Sequence, residues 1–525
     1  MKPPVLFAWL LVLLATLLQT AEATEATEAT KATKATKATK ATEATEVTEV
    51  TEATEATEAT WITNVKLVSP ERLDRIEPGS VLIEDGRIAA VQRGAAQAQP
   101  AGSRRIDGGG LFLTPGLIDS HVHLHAVPGM SVEQIGTQGA LAQAYYRQLP
   151  RSFLYYGYTT VIDLALADNA VIERFRAAPL HPDLFHCGQP LVLGNGYPMS
   201  FISPAKRFGA FPNFIVDPSQ PRTMPPGVRL AEHTPQAGVA RDKAAGAICV
   251  KTHFERGFGR ERNLPVFSKA MFADIRQAAT SGKMALVTHA NSFEAQTFAV
   301  DGQADVVAHG MWHWGSLDDR TELPPEIRAL LDRIVAARIG YQPTMQVLYG
   351  LNAYFDPAYL RNPGVRKVVP GALADWFATP AGKWFGEELA EGASDEEMLA
   401  SSAAPLRHLR QVVAYLAARD ANILFGTDTP SSPTYGNLPG LNGYLEMQHL
   451  VDAGMTPAQV FRAATINNAR SFGIDAEVGT IEAGKRANLV LLKRSPLEDT
   501  RAWDGIVRLW VGGREVEREA LAAPR

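Results

Sequence analysis

The sequence predicts an α/β protein: a (β/α)8 TIM-like barrel with a small β-sandwich formed by its N- and C-terminal flanks. Three observations predict it. The middle of the 525-residue chain alternates short apolar runs with helical stretches, the pattern of parallel α/β units. Several of those runs end in His, Lys or Asp, and in such a barrel the reactive groups gather at the C-terminal ends of the strands. The two ends of the chain are both strand-rich and mirror each other.

The totals bound the problem. With 46% hydrophobic residues the chain can fill a large core and an accessory domain. The formal charge is −5 and no basic field stands out, so nucleic-acid binding has no support. Cys187 and Cys249 are the only cysteines. Cys249, inside the apolar run 247–250, reads as a buried thiol rather than half of a bridge.

Met1 and Lys2 precede an apolar run from Val5 to Leu18 and an A-x-A-like end at Ala21–Ala23. This is the layout of a secretory leader, residues 1–23, too short for a membrane span of about 20 residues. The expectation is a secreted or periplasmic protein with no stable membrane span once the leader is cleaved. Residues 24–60 repeat Thr-Glu-Ala around a Thr-Lys-Ala block and carry almost no large apolar side chains. Such a segment buries no core and reads as a tether.

The flanks follow. Residues 61–114 form the first part of the expected sandwich; Val81–Val91 reads as a hairpin turned by Asp85-Gly86. Residues 471–525 form the second part, with strands at 487–492 and 506–514. Residues 115–470 are the barrel. Its expected strands include 159–163, 247–251, 284–289, 305–309, 339–343 and 422–428, with helices at 265–281 and 403–420 among the connections. Residues 346–402 resist assignment.

The chemistry begins at Thr114–His125. On a strand, side chains two apart share a face, so His121 and His123 point the same way, half of a metal site on rigid backbone. A bare HxH recurs by chance and would more often be a hydrogen-bonded strand end. Lys251 alone reads as a solvated lysine, His289 or His309 alone as a satisfied polar residue, and Asp428 alone as a helix N-cap. Together they place four His, one Lys and one Asp at successive strand ends, a set that suits one or two divalent metals. Such metals polarise a carbonyl and hold a hydroxide nucleophile, while an Asp moves the proton. Tyr197, in the Gly/Pro-rich excursion 188–226, and His313, flanked by Trp312 and Trp314, are weaker substrate-binding candidates. Gln342 and Thr344 could hydrogen-bond a substrate.

The stretch Thr114–His125 resembles the opening of the amidohydrolase superfamily barrel. Gly157–Asp163 resembles its second-strand signature, and Gly426-Thr427-Asp428 its eighth-strand aspartate. Gly454–Thr465 and Gly479–Val490 resemble its closing segment. The likeness runs from about Trp61 to the C-terminus and is nearest to the imidazolonepropionase-like and Xaa-Pro-dipeptidase-like branch. The resemblance implies that His121, His123 and Asp428 hold a first metal, with zinc the expected ion, and His289 and His309 a second. Lys251 falls where many members carry a carboxylated lysine bridging both metals; the following Thr252–Glu255 is less typical, which leaves His253 or Glu255 open as the ligand instead.

The expected function is metal-dependent hydrolysis of a C–N, amide-type bond in a small molecule, an N-acyl amino acid, a dipeptide or a cyclic amide. Asp428 would be the catalytic proton carrier. The alternatives are a mononuclear deaminase or cyclic-amide hydrolase, and a non-catalytic barrel displayed on the tether. The expected partner is a small-molecule substrate; a homo-oligomer stays open.

Overall fold

The computed structural model describes residues 59–94, 98–166, 169–220, 224–257, 263–431 and 433–524. The leader and the repeat up to residue 58 lie outside them. Fourteen strands follow in order: β1 (Thr60–Val68), β2 (Ile76–Glu84), β3 (Arg87–Arg93), β4 (Arg104–Pro115), β5 (Leu117–Val122), β6 (Tyr158–Asp163), β7 (Asp183–His186), β8 (Cys249–His253), β9 (Ala285–His289), β10 (Val306–Ala308), β11 (Gly340–Gln342), β12 (Leu489–Leu492), β13 (Ile506–Val511) and β14 (Arg514–Glu517). Thr60, assigned above to the tether, already belongs to β1.

The two flanks meet as one continuous seven-stranded sheet, in the order β14-β13-β12-β4-β1-β2-β3, rather than as two separate sheets. The long strand β4 is the reason. It pairs in parallel with β1 along one edge and, through Phe112–Pro115, antiparallel with β12 along the other. Side chains from both ends of the chain, among them Ile62, Val81, Ile88, Leu113, Leu489 and Trp510, share one buried cluster. The hairpin turns as expected: Asp85 and Gly86 both have positive φ (47° and 74°), the backbone of a two-residue turn between β2 and β3.

The middle consists of parallel strands with helices between them. One sheet runs β5-β6-β7 and another β11-β10-β9-β8. Backbone bonds join them. Ile248 N–H donates to His186 O (2.9 Å) and Leu191 N–H to Lys251 O (2.8 Å), linking β7 to β8. The extended segment 422–429 carries the link onward: Leu424 N–H donates to Tyr341 O (2.8 Å), and Asp428 N–H to His121 O (2.7 Å). Its isolated bridges to Tyr341 and Val122 are parallel. Hydrogen bonds thus pass from each parallel segment to the next and return to β5. Strand β7 escapes the sequence reading because it is only four residues long.

Cys187 and Cys249 form a disulfide, which corrects the reading of Cys249 as a free buried thiol. Cys187 follows β7 and Cys249 opens β8. The pairing comes from adjacency in the sheet, which a separation of 62 residues in sequence does not reveal.

Two excursions close over the strand ends. Residues 188–220 are no open loop: Val192, Met199, Ile202, Phe211 and Phe214 form their own apolar cluster. The stretch after Gln346 contains helices Gln346–Asn352, Val365–Val368, Gly371–Phe377, Pro380–Ala390 and Asp395–Ser401. The last carries a capping box, Ser394 with Glu397. This helical layer touches the connections after β5 and after segment 422–429: Trp384 Nε1 donates to Gly129 O (3.2 Å) and Tyr354 Oη to Pro433 O (2.8 Å). No helix among the described residues is long and apolar enough to cross a membrane.

The disulfide closes a long loop, and removing it relaxes the unfolded chain. Replacing both cysteines by alanine is expected to lower stability by about 2–4 kcal/mol in denaturant unfolding. Thiol titration of the unfolded, unreduced protein should find no free thiol.

Candidate metal centre

The centre is built where β5 meets segment 422–429. Every residue of β5 is buried. Its backbone is pinned by Ser120 N–H to Phe425 O (3.1 Å), Asp428 N–H to His121 O (2.7 Å) and His123 N–H to Thr429 O (2.8 Å). This ladder brings three side chains together. His121 Nε2 lies 3.1 Å and His123 Nε2 2.8 Å from the same oxygen, Asp428 Oδ1. Ligand atoms of these three residues all fall within 4.8 Å of one another, all buried. Asp428 is therefore no helix N-cap.

The remaining candidates line up beside this group. The ring of His309 lies 5.0 Å from that of His121 and 4.4 Å from that of His289. Tyr197 is buried, its ring 5.0 Å from His289 and 5.5 Å from His253. Lys251 is 2% exposed and its Nζ has no hydrogen-bond partner among the described residues. The structure thus gathers His121, His123, Lys251, His289, His309, Asp428 and Tyr197 in one region. It does not bring in His313, which bridges to Ser292 and faces a separate cleft lined by Phe254, Phe293 and Trp314.

Three polar residues read as candidate ligands or substrate binders have other partners. Thr344 Oγ1 lies 3.0 Å from His309 Nδ1, so it fixes that ring. Gln342 Nε2 donates to Ser120 O (3.1 Å) and Ser120 Oγ (2.8 Å), tying β11 to β5. Glu255 accepts from Gly257 N–H (2.8 Å) and stands behind His289 rather than with the His121–His123–Asp428 group.

Several supporting residues escape sequence reading. Asn468 Nδ2 donates to Ile118 O (2.9 Å) and Phe425 O (2.7 Å), while its Oδ1 accepts from Phe425 N–H (3.1 Å) and Ser120 Oγ (3.0 Å). One side chain thus clamps both arms of the ladder. The available signal is the pair Asn467-Asn468 inside a helical stretch, poor helix formers that need a reason to be there. A π-helical turn, Ala463–Asn467, delivers Asn468. Asp119 accepts from Thr427 Oγ1 (2.6 Å) and Thr427 N–H (3.1 Å), one residue before Asp428.

The electrostatics prepare these groups as ligands. Burial pushes His121 down to about 4 and His289 and His309 well below the ordinary imidazole range, so all three are neutral with lone pairs available. Burial alone would raise Asp428, but His121, by its charge at the low pH where it is protonated and by its hydrogen bond, with a further hydrogen bond from His123, holds it well below the carboxylate range. Burial brings Lys251 down to about 8, against the pull of Asp428. Two neutral imidazoles and an ionised carboxylate converging at one point are a donor set that fits a zinc-like divalent ion. Asp428 Oδ2, His121 Nδ1 and His123 Nδ1 are buried without partners among the described residues, as is Lys251 Nζ. Unsatisfied polar groups at such density are costly in a folded interior and consistent with a site built for a ligand.

With this geometry in place, a model of the amidohydrolase family matches residues 387–516. That match covers about a quarter of the 525-residue chain. Local relatives include an adenine deaminase of Ruegeria sp., 36% identical over 15% of this chain and 13% of its own, and a dihydroorotase of Methanothermobacter thermautotrophicus, 34% identical over 19% and 20%. An imidazolonepropionase of Ralstonia nicotianae is 52% identical over 9% of this chain and 12% of its own. The chain spans at most 20% of the length of these curated relatives. Solved structures match over far more of the chain. A Xaa-Pro dipeptidase with bound methionine aligns with TM-score 0.59 and 18% identity, covering 87% of this chain and 100% of its own. A molinate hydrolase aligns with TM-score 0.62 and 19% identity, covering 89% and 96%.

Glu446 supports the centre from outside. Its carboxylate accepts from Met345 N–H (2.9 Å) and Gln346 N–H (2.6 Å), just after Thr344, which holds His309. Burial raises Glu446 to about 8 despite those bonds. A folded-state value above the unfolded 4.5 means its stabilising effect is full below about pH 4.5 and lost as pH rises through about 8. Stability relative to Glu446→Gln, compared by urea midpoints, should therefore fall as pH rises across that window; an unchanging difference would contradict the assignment.

Proposed function

We propose that this protein is a metal-dependent hydrolase that cleaves a C–N, amide-type bond in a small molecule, an N-acyl amino acid, a dipeptide or a cyclic amide. The observation that carries the reading is the convergence of His121 and His123 Nε2 on one oxygen of Asp428. The match of an amidohydrolase family model to residues 387–516 supports it, and the ring of parallel segments supports a (β/α)8 barrel with this centre at its strand ends.

His121, His123 and Asp428 would hold one divalent ion, zinc by the donor chemistry, and His289 and His309 would hold a second with Lys251 between them. A bound ion would polarise the substrate carbonyl and lower the pKa of water. Asp428 keeps Oδ2 without a partner among the described residues while Oδ1 faces the histidines, so Oδ2 is placed to accept a proton and return it to the leaving nitrogen. Burial that brings Lys251 to about 8 leaves a usable fraction of neutral amine near neutral pH, the form that adds carbon dioxide to become a carbamate. Tyr197 and Trp312, whose ring lies 5.8 Å from His309, give the centre aromatic walls that hold an apolar substrate face and exclude water.

The second reading is a mononuclear deaminase or cyclic-amide hydrolase with unmodified Lys251. It is favoured by the fact that only His121, His123 and Asp428 form a tight metal-binding group among the described residues. The leader-like N-terminus and the Cys187–Cys249 disulfide both support a secreted or periplasmic protein, since disulfides persist in oxidising compartments.

Metal analysis and an amide panel test the proposal together. Wild-type protein should hold about two metals per chain on the binuclear reading and about one on the mononuclear reading. His123→Ala and Asp428→Asn should each lower metal content and reduce hydrolysis of N-acyl amino acids and dipeptides by at least about a thousandfold, with the far-UV spectrum unchanged. Full activity in either variant, or wild-type protein with neither metal nor activity, contradicts the proposal.

A further inference from the structure

Lys251, His253 and Glu255 alternate along one strand and its extension. The pairing of β8 with β9 runs to His253 opposite His289, and Phe254 N–H then donates to His289 O (3.0 Å). That register carries Glu255 past the end of β8 and sets it beside residues 289–291. There Glu255 is buried, 8% exposed, with its carboxylate Oε1 accepting from Gly257 N–H (2.8 Å). Its other oxygen, Oε2, lies 3.5 Å from His289 Nε2, a buried ring nitrogen with no hydrogen-bond partner among the described residues. The neighbouring cation does not account for this acid: Arg256 forks onto Glu294 instead, at 2.8–3.0 Å.

We propose that Glu255 is a positioning residue for His289. It accepts the Nε2–H proton in a hydrogen bond, which selects the tautomer whose only free lone pair is on Nδ1 and presents that nitrogen as the ligand atom. A carboxylate held in place by the Gly257 backbone N–H can impose this choice, whereas a free imidazole interchanges its tautomers. The proposal rests on the reading of His289 as a ligand of a second metal.

The test uses full-length protein loaded with zinc and challenged with a chelator, reading metals retained per chain. His289→Ala should lose one of two metals. Glu255→Ala should weaken the same metal by about 10–100-fold and leave the other unchanged, and Glu255→Gln, which keeps an acceptor, should recover most of that loss. A purely structural role would instead weaken both metals together. Glu255→Ala retaining both metals as tightly as wild type, while His289→Ala loses one, overturns the positioning role alone. His289→Ala retaining both overturns the ligand reading and the proposal with it. A further measurement needs no Glu255 variant: nitrogen-15 spectra of histidine-labelled, zinc-loaded wild type, assigned through His289→Ala, should show His289 protonated on Nε2. Protonation on Nδ1 refutes the proposal even if Glu255→Ala does not fold.

Discussion

A single carboxylate oxygen, Asp428 Oδ1, receives two imidazole nitrogens, and much of the surrounding structure serves that meeting. It requires segment 422–429 to lie in register with β5. Asn468, Gln342 and the Asp119–Thr427 pair all tie down that register. It also requires unusual backbone. Asp428 and His309 have φ of 56° and 77°, and Thr344, which holds His309, has 44°. Residues other than glycine in this left-handed region cost about 1–3 kcal/mol each and persist only where the surroundings enforce them. Here the Asp428 N–H bond to His121 O and the Glu446 clasp on Met345 and Gln346 supply that enforcement.

Burial acts on this cluster with opposite signs, and the outcome suits metal binding. It neutralises the histidines and lowers Lys251, yet Asp428 stays ionised because His121 and His123 face it directly. One charge in a nest of neutral donors is less costly to bury than several, and it leaves lone pairs rather than protons at the centre.

Much of the centre was legible in the sequence because strands are local. His121 and His123 are two residues apart, and Lys251, His289, His309 and Asp428 each end or follow a short apolar run that can be read alone. What escaped was what depends on the pairing of distant segments. The Cys187–Cys249 bridge exists because β7 and β8 are neighbours, and β7 is too short to announce itself. Thr344 and Gln342 read as substrate contacts because their partners, His309 just past β10 and Ser120 in β5, are distant in sequence. Asn468 lies 40 residues past Asp428 and acts through a helical turn whose geometry no periodicity encodes. The helical layer after Gln346 was unassigned because its helices are short, although the Ser394–Glu397 capping box was readable. In the flanks, strand and turn signals were plain, but their union into one sheet depends on β4 pairing on both edges.

The most direct test of the central claim is to locate the metal. Crystals of metal-loaded protein, measured with X-rays tuned to the absorption edge of the ion found in it, give an anomalous difference map. A peak is expected between His121 Nε2, His123 Nε2 and the Asp428 carboxylate. A peak elsewhere, or none at that point in protein that contains metal, would contradict it.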